Sequence, residues 1–169
     1  QMAVTGGGLR GYLVVKTGTA VGTAALPVTV VLTAGALTDS SMEGWAWAAS
    51  PLICLIGVLP FVLWGLAAGM WLPSSASIGI ATSLVSLFAF IGNTFMPLNH
   101  TLLTISRFTT MYGATALARW PLGEGWVYVP DRQGGVHDPL WMPLANLVAW
   151  TLIFGLLVIG ARRRATRRQ

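Results

Sequence analysis

The chain is built from long runs without charge, separated by short polar breaks. Runs at about 13–38, 48–71, 76–96 and 140–160 carry no acidic residue, and the one base among them, Lys16, stands near the start of the first. Each is long enough as a helix to cross the roughly 30 Å hydrocarbon layer of a bilayer. The pattern predicts an all-α integral membrane protein with four transmembrane helices. A glycine-rich lead-in (1–12) precedes them, and a basic tail (161–169) follows.

The breaks differ in character. Asp39 to Trp47 (DSSMEGWAW) is a short polar turn whose Trp45 and Trp47 suit a headgroup belt. Trp71-Leu-Pro-Ser-Ser is a tight turn. The segment 97–139 is longer and mixed. Gly92 to Trp120 is only about half apolar, with Arg107 and Arg119 set among leucines, a phenylalanine and a tyrosine. It is too polar for an ordinary span and too apolar for a free loop, so short helices lying in or dipping into the membrane interface are expected. Pro121 to Pro139 (PLGEGWVYVPDRQGGVHDP) reads as an exposed loop.

Polar groups within the runs point two ways. The first run carries threonines at 17, 19, 23, 29 and 33 and the pair Gly18/Gly22, with a kink expected at Pro27. This face either packs through small residues or lines a substrate path, with Thr19 and Thr23 as its members. Ser83, Ser86 and Asn93 of the third run allow the same two readings. Asn93 needs a hydrogen-bond partner at such a position. In the second run Pro51 fits a first helical turn, Pro60 falls in the middle, and Gly65-Leu-Ala-Ala-Gly69 permits close approach of another backbone.

Composition agrees with the membrane reading. Of 169 residues 54% are hydrophobic and 9% charged, against about a quarter charged in soluble domains. The mean hydropathy is +0.70. The net charge of +5 is not a nucleic-acid signal, because five of the ten basic residues (Arg162, Arg163, Arg164, Arg167 and Arg168) follow the last run. Such a cluster marks a cytoplasmic flank. Four crossings then place Arg10 and Lys16 on the same side, and 39–47 and 97–139, with all five acids, on the other. Cys54 is alone, so no internal disulfide forms. The start at Gln1-Met2, followed by Gly6-Gly7-Gly8, suggests the C-terminal part of a longer polypeptide.

Catalytic and cofactor patterns are not apparent. His100 and His137 are far apart and lack a metal-ligand spacing. No serine stands in a nucleophile-elbow context, and no carboxylate lies within a run, which argues against a proton relay. Lys16-Thr17 lacks the glycines of a phosphate-binding loop. No cofactor is therefore expected on this chain, and ATP, if used, must be handled by another.

Gly92, Met96-Pro97-Leu98, Leu102-Leu103-x-Ile105-Ser106-Arg107, Met111-Tyr112-Gly113 and Leu117-Ala118-Arg119 together resemble the C-terminal signature region of ABC-2 type permeases, the membrane subunits of a class of ABC exporters. The resemblance extends over roughly 10–165, including the Gly11-Tyr12-x-x-x-Lys16 approach to the first run. Family members often have proline where Thr110 stands and another near Thr101, and they usually have six spans, of which the missing two would precede Gln1. The resemblance implies two permease halves, identical or not, each bound to a cytoplasmic ATPase that carries ATP and Mg. It implies a multi-pass protein of the plasma membrane (the bacterial inner membrane) with a cytoplasmic C-terminus. Arg10, Tyr12 and Lys16 would contact the ATPase. Thr19, Thr23, Ser83, Ser86 and Asn93 would line the substrate path. Leu98–Trp120, with Pro97, Arg107, Tyr112 and Arg119, would form outer helices that partly re-enter the membrane. Two other readings remain: a non-transporting membrane scaffold, and an outer-face enzyme in which His100, Arg107 or His137 converges on Glu124, Asp131 or Asp138.

Overall fold

A computed structural model describes residues 8–38, 43–72 and 74–166. The chain divides into two compact units, Gln1–Ser41 and Met42–Gln169. The first holds one helix, α1 (Gly8–Leu37), with Pro27 inside it. Its threonine hydroxyls bond back onto their own helix: Thr19 to Val15 O, Thr23 to Thr19 O, Thr29 to Ala25 O and Thr33 to Thr29 O, all at 2.7–2.8 Å. A hydroxyl satisfied within its own turn removes the penalty of facing an apolar medium.

The second unit contains α2 (Gly44–Trp71), α3 (Ser74–Ile91), α4 (His100–Ser106), α5 (Thr110–Gly123), a two-stranded ribbon of β1 (Trp126–Val127) and β2 (Val136–His137), and α6 (Trp141–Thr166). Among the described residues three helices are long and apolar enough to cross a membrane: Val14–Leu37, Gly44–Trp71 and Trp141–Arg164. The fourth expected run is shorter than anticipated. Helix α3 ends at Ile91 rather than near Met96, because Asn93 takes a left-handed backbone (φ 59°) that no continuing helix permits. Conversely, α2 starts at Gly44, so Trp45 and Trp47 are helical and Pro51 lies inside the helix rather than in its first turn. Pro143 is in the first turn of α6, where its missing N–H costs no helical bond.

Side-chain pairings give the helix directions. Trp64 of α2 meets Phe154 of α6 with ring centroids 5.4 Å apart, and seven residues further along α2 Trp71 Nε1 donates to Leu157 O, three residues further along α6, at 2.9 Å. Both helices therefore run the same way, and Arg164 closes that end over the Trp71 ring at 4.4 Å. Helix α3 returns in the opposite sense, with Trp64 Nε1 donating to Ala81 O at 3.3 Å.

Helices α4 and α5 form a hairpin at the other end, and its corner sits deep. Thr110 lies among Phe61, Trp64, Phe88 and Phe154, whereas Ala114 faces Gly57. Helix α5 thus starts at mid-height of α2 and runs away from the arginine end. Trp150 Nε1 donates to Phe108 O at 3.2 Å, which puts the corner nine residues along α6 from Trp141, about 14 Å at 1.5 Å per residue.

Two glycines allow this packing. A Cβ on Gly113 would stand 2.6 Å from Asn146 Oδ1 and 2.9 Å from Pro143 O, and one on Gly92 would stand 2.7 Å from the Met111 Cβ. Gly65 and Gly69 have no neighbour within 4 Å of a built Cβ, so their small-residue face is open.

The segment 121–139 departs most from expectation. Pro121 continues α5, the ribbon pairs Trp126 with His137 and Val127 with Val136, and Leu98, Leu103 and Val129 form a small buried cluster beneath it. Ten of its 19 positions are exposed, as expected, but Pro121, Gly125, Val129 and Asp138 are buried, so the segment forms a cap anchored at those four. Its turns rest on glycine: Gly125 (φ 87°) brings the Trp120 ring and Asp138 O against the chain, where a Cβ would stand 2.5 Å from each.

Candidate functional site

The cap holds most of the unit's polar organisation. Asn99 accepts from Leu102 N at 2.9 Å and caps α4, while Asp131 accepts the His100 backbone N–H at 3.0 Å. The second bond ties the start of α4 to the loop that joins the two ribbon strands.

Deeper lies a charged cluster. Arg107, at the end of α4, donates to Asp138 Oδ1 at 2.5 Å, and the Tyr112 hydroxyl donates to Asp138 Oδ2 at 2.5 Å. Asp138 is 2% exposed and Arg107 23%. A buried carboxylate is tolerated only when its oxygens are paired, and here both are. Burial, then the hydrogen bond to Asp138, pushes the Tyr112 phenol well above its ordinary range. One cation, one anion and one neutral phenol are held together, so the cluster carries no net charge.

Asn146 of α6 pins the hairpin corner. Its Nδ2 donates to Arg107 O at 2.7 Å and Thr109 O at 3.0 Å, and its Oδ1 accepts from Gly113 N at 3.1 Å. Arg107 O lies at the break between α4 and α5, and Thr109 O and Gly113 N stand at the first turn of α5. Thr110 Oγ1 and Arg107 Nε are buried there without a partner.

Arg119 does a related task at the end of α3. Its guanidinium donates to Asn93 O at 2.7 Å and Thr94 O at 3.0 Å, closing off the turn that follows the helix. Asn93 Oδ1 accepts from Leu98 N at 3.2 Å, which supplies the partner its position demands. Between this turn, α5 and the ribbon is a cavity of about 310 Å³. Phe95, Met96, Trp120, Trp126 and Tyr128 form its apolar wall, and Arg119 and Asp138 are its charged members. His137 lies edge-on to both Trp120 and Trp126, with centroids 6.3 and 5.3 Å away.

The residues named from sequence therefore separate into groups. Asn93, Pro97, Tyr112 and Arg119 all line this one cavity, and Arg107 lies behind it on Asp138. Ser83 and Ser86 are exposed on α3, away from the cavity. Thr19, Thr23 and Lys16 are exposed on α1, and the side chains of Arg10 and Tyr12 lie outside the described residues. Arg107 meets Asp138, one convergence the enzyme reading requires. His100 and His137 do not join it: the first contacts Asp131 through its backbone, the second faces tryptophans. Among the described residues no three His, Cys, Asp or Glu side chains stand together as a metal site.

Sequence reasoning missed Asn146, Trp120 and Tyr128. Asn146 had a signal, being the only amide side chain within an otherwise apolar helix. No protein-family model matches the sequence, and neither a curated protein nor a solved structure matches it.

Proposed function

We propose that this chain is a membrane subunit of an ATP-driven exporter of the ABC-2 type, forming part of the substrate path while a separate ATPase subunit supplies the energy. The observation that supports this most is the α4–α5 hairpin. Its helices, His100–Ser106 and Thr110–Gly123, cover most of Leu98–Trp120, the stretch in which the resemblance implies outer helices that partly re-enter the membrane, and its corner lies about 14 Å along α6. Irregular backbone at such depth is stable only where protein covers it, and Asn146 provides that cover.

In this reading α3 is the remaining crossing. Its 18 residues span about 27 Å, close to the thickness of the hydrocarbon layer. The arginine end of α2 and α6 faces the cytoplasm, and the hairpin, ribbon and cavity face outward. Arg10, Tyr12 and Lys16 approach the ATPase, and a second permease half completes the path. The protein resides in the plasma membrane.

Purification in mild detergent from the native membrane tests the proposal. An ATP-binding subunit in near-equal amount is the expected result. Its absence, under conditions that keep known transporters intact, would overturn the exporter reading in favour of a non-transporting scaffold.

A further inference from the structure

The cavity beneath the ribbon has features that the export reading does not use. Arg119 is the one charged group in its wall that lacks an opposite charge: among the described residues the only ion pair joins Arg107 to Asp138. Two of the five guanidinium N–H groups are taken by Asn93 O and Thr94 O. Three N–H groups are left over, and a guanidinium that lines a cavity is a group suited to phosphate.

Asp138 does not oppose an anion there. Both its oxygens accept bonds from Arg107 and Tyr112, and it is 2% exposed. The three charges around the cavity therefore sum to one positive. Large apolar groups lie open at its mouth, Trp126 at 61% and Tyr128 at 69% exposed, with Phe95 and Met96 also exposed. Such a patch beside a single cation fits a molecule that is half apolar and half anionic. The site is also preformed: His137 backs two of the rings, and the Gly125 turn packs on Trp120. A preformed site avoids the ordering cost of binding. It lies at the end of α6 away from the arginines, where tryptophan and tyrosine suit headgroup level.

We propose that this cavity binds the phosphate of an amphiphile, with the phosphate on Arg119 and the apolar part against Trp126, Tyr128, Phe95 and Met96. The phosphate comes either from an anionic phospholipid headgroup or from a soluble phosphate ester. Neither source depends on export or on an ATPase.

The test is native mass spectrometry of the full chain in neutral detergent. It is titrated separately with dioleoylphosphatidylglycerol, dioleoylphosphatidylcholine and hexyl phosphate. One phosphatidylglycerol per chain is expected, retained at least about tenfold better than phosphatidylcholine, with a similar loss in Arg119→Gln, the scale of a charge-assisted bond. Arg119 also holds the end of α3, so Trp126→Ala, at an exposed ring, is the second variant and should weaken retention severalfold with thermal unfolding unchanged. Arg119→Lys should restore part of the binding. Retention of hexyl phosphate alone, lost in Trp126→Ala, would identify a soluble ester as the source. Equal retention of both lipids, equal retention by wild type and Trp126→Ala, or no binding of any probe would overturn the proposal. A failed ATPase co-purification leaves these outcomes intact, so the two readings fail separately.

Discussion

Helix α1 and the α4–α5 hairpin are both rich in polar groups, yet they direct them differently. In α1 each of the threonines at 19, 23, 29 and 33 closes onto a carbonyl four residues back. In the hairpin Thr104, Ser106 and Thr109 also bond back locally, but seven further bonds reach across 25 to 39 residues of chain: Arg107 to Asp138, Tyr112 to Asp138, Arg119 to Asn93 and Thr94, and Asn146 to Arg107, Thr109 and Gly113. Local bonds make a helix compatible with lipid but specify no neighbour. Long-range bonds between buried groups specify a position, because each lost partner leaves a polar atom stranded.

The contrast breaks most visibly at Asp138. Replacing it with alanine leaves Arg107 half-buried without its counter-charge and should cost about 3 kcal/mol, read as a fall in the midpoint of thermal unfolding in detergent. The double variant Arg107→Met/Asp138→Leu should recover much of that loss. If Asp138→Ala alone were neutral, the cluster would not be holding the cap.

Asn146→Ala is next. It removes one acceptor and two donor bonds from the hairpin corner, and about 2 kcal/mol is expected for the stranded groups. Hydrogen exchange should rise at the α4–α5 corner more than in α2. A uniform rise would mean that the corner is held by apolar packing instead.

Thr110→Pro sharpens the comparison from the other side. Thr110 is the first residue of α5, its hydroxyl is buried without a partner, and Thr109 already has the extended backbone (φ −82°, ψ 153°) that precedes a proline. A gain of about 0.5–1 kcal/mol is expected, and a loss would show that the Thr110 N–H or hydroxyl has a partner. Smallest of all, Thr19→Val with Thr23→Val should change stability by less than about 0.5 kcal/mol. A cost equal to that of Asn146→Ala would mean that the α1 hydroxyls hold a partner.

How much of this was legible depends on the range of the interactions. The long helices were, since a run of about 20 apolar residues is a local property. That Gly92–Trp120 would form short helices also was, because its mixture of arginine and leucine excludes both a span and a free loop. The cap at 121–139 was not. Its glycines, prolines and charges are the usual marks of a solvated loop, and only the fold shows Asp131 reaching His100 and Asp138 reaching Arg107. The early stop of α3 was likewise hidden, because Asn93 ends the helix through a positive φ and an Arg119 contact 26 residues on. Of the residues named for function, those brought together are, Pro97 apart, the ones whose polar groups bond far along the chain.

The central claim is that the hairpin corner lies deep, beside the middle of α6. Its most direct test is a spin label at Phe108, which is 77% exposed at that corner, in a Cys54→Ala background in lipid nanodiscs. Power-saturation measurements with oxygen and a nickel chelate give its depth relative to labels at Trp141 and Leu152 on α6. A depth well below Trp141 and near Leu152, with oxygen favoured over nickel, is the expected result. Free access to the nickel chelate, at or above the level of Trp141, would contradict it.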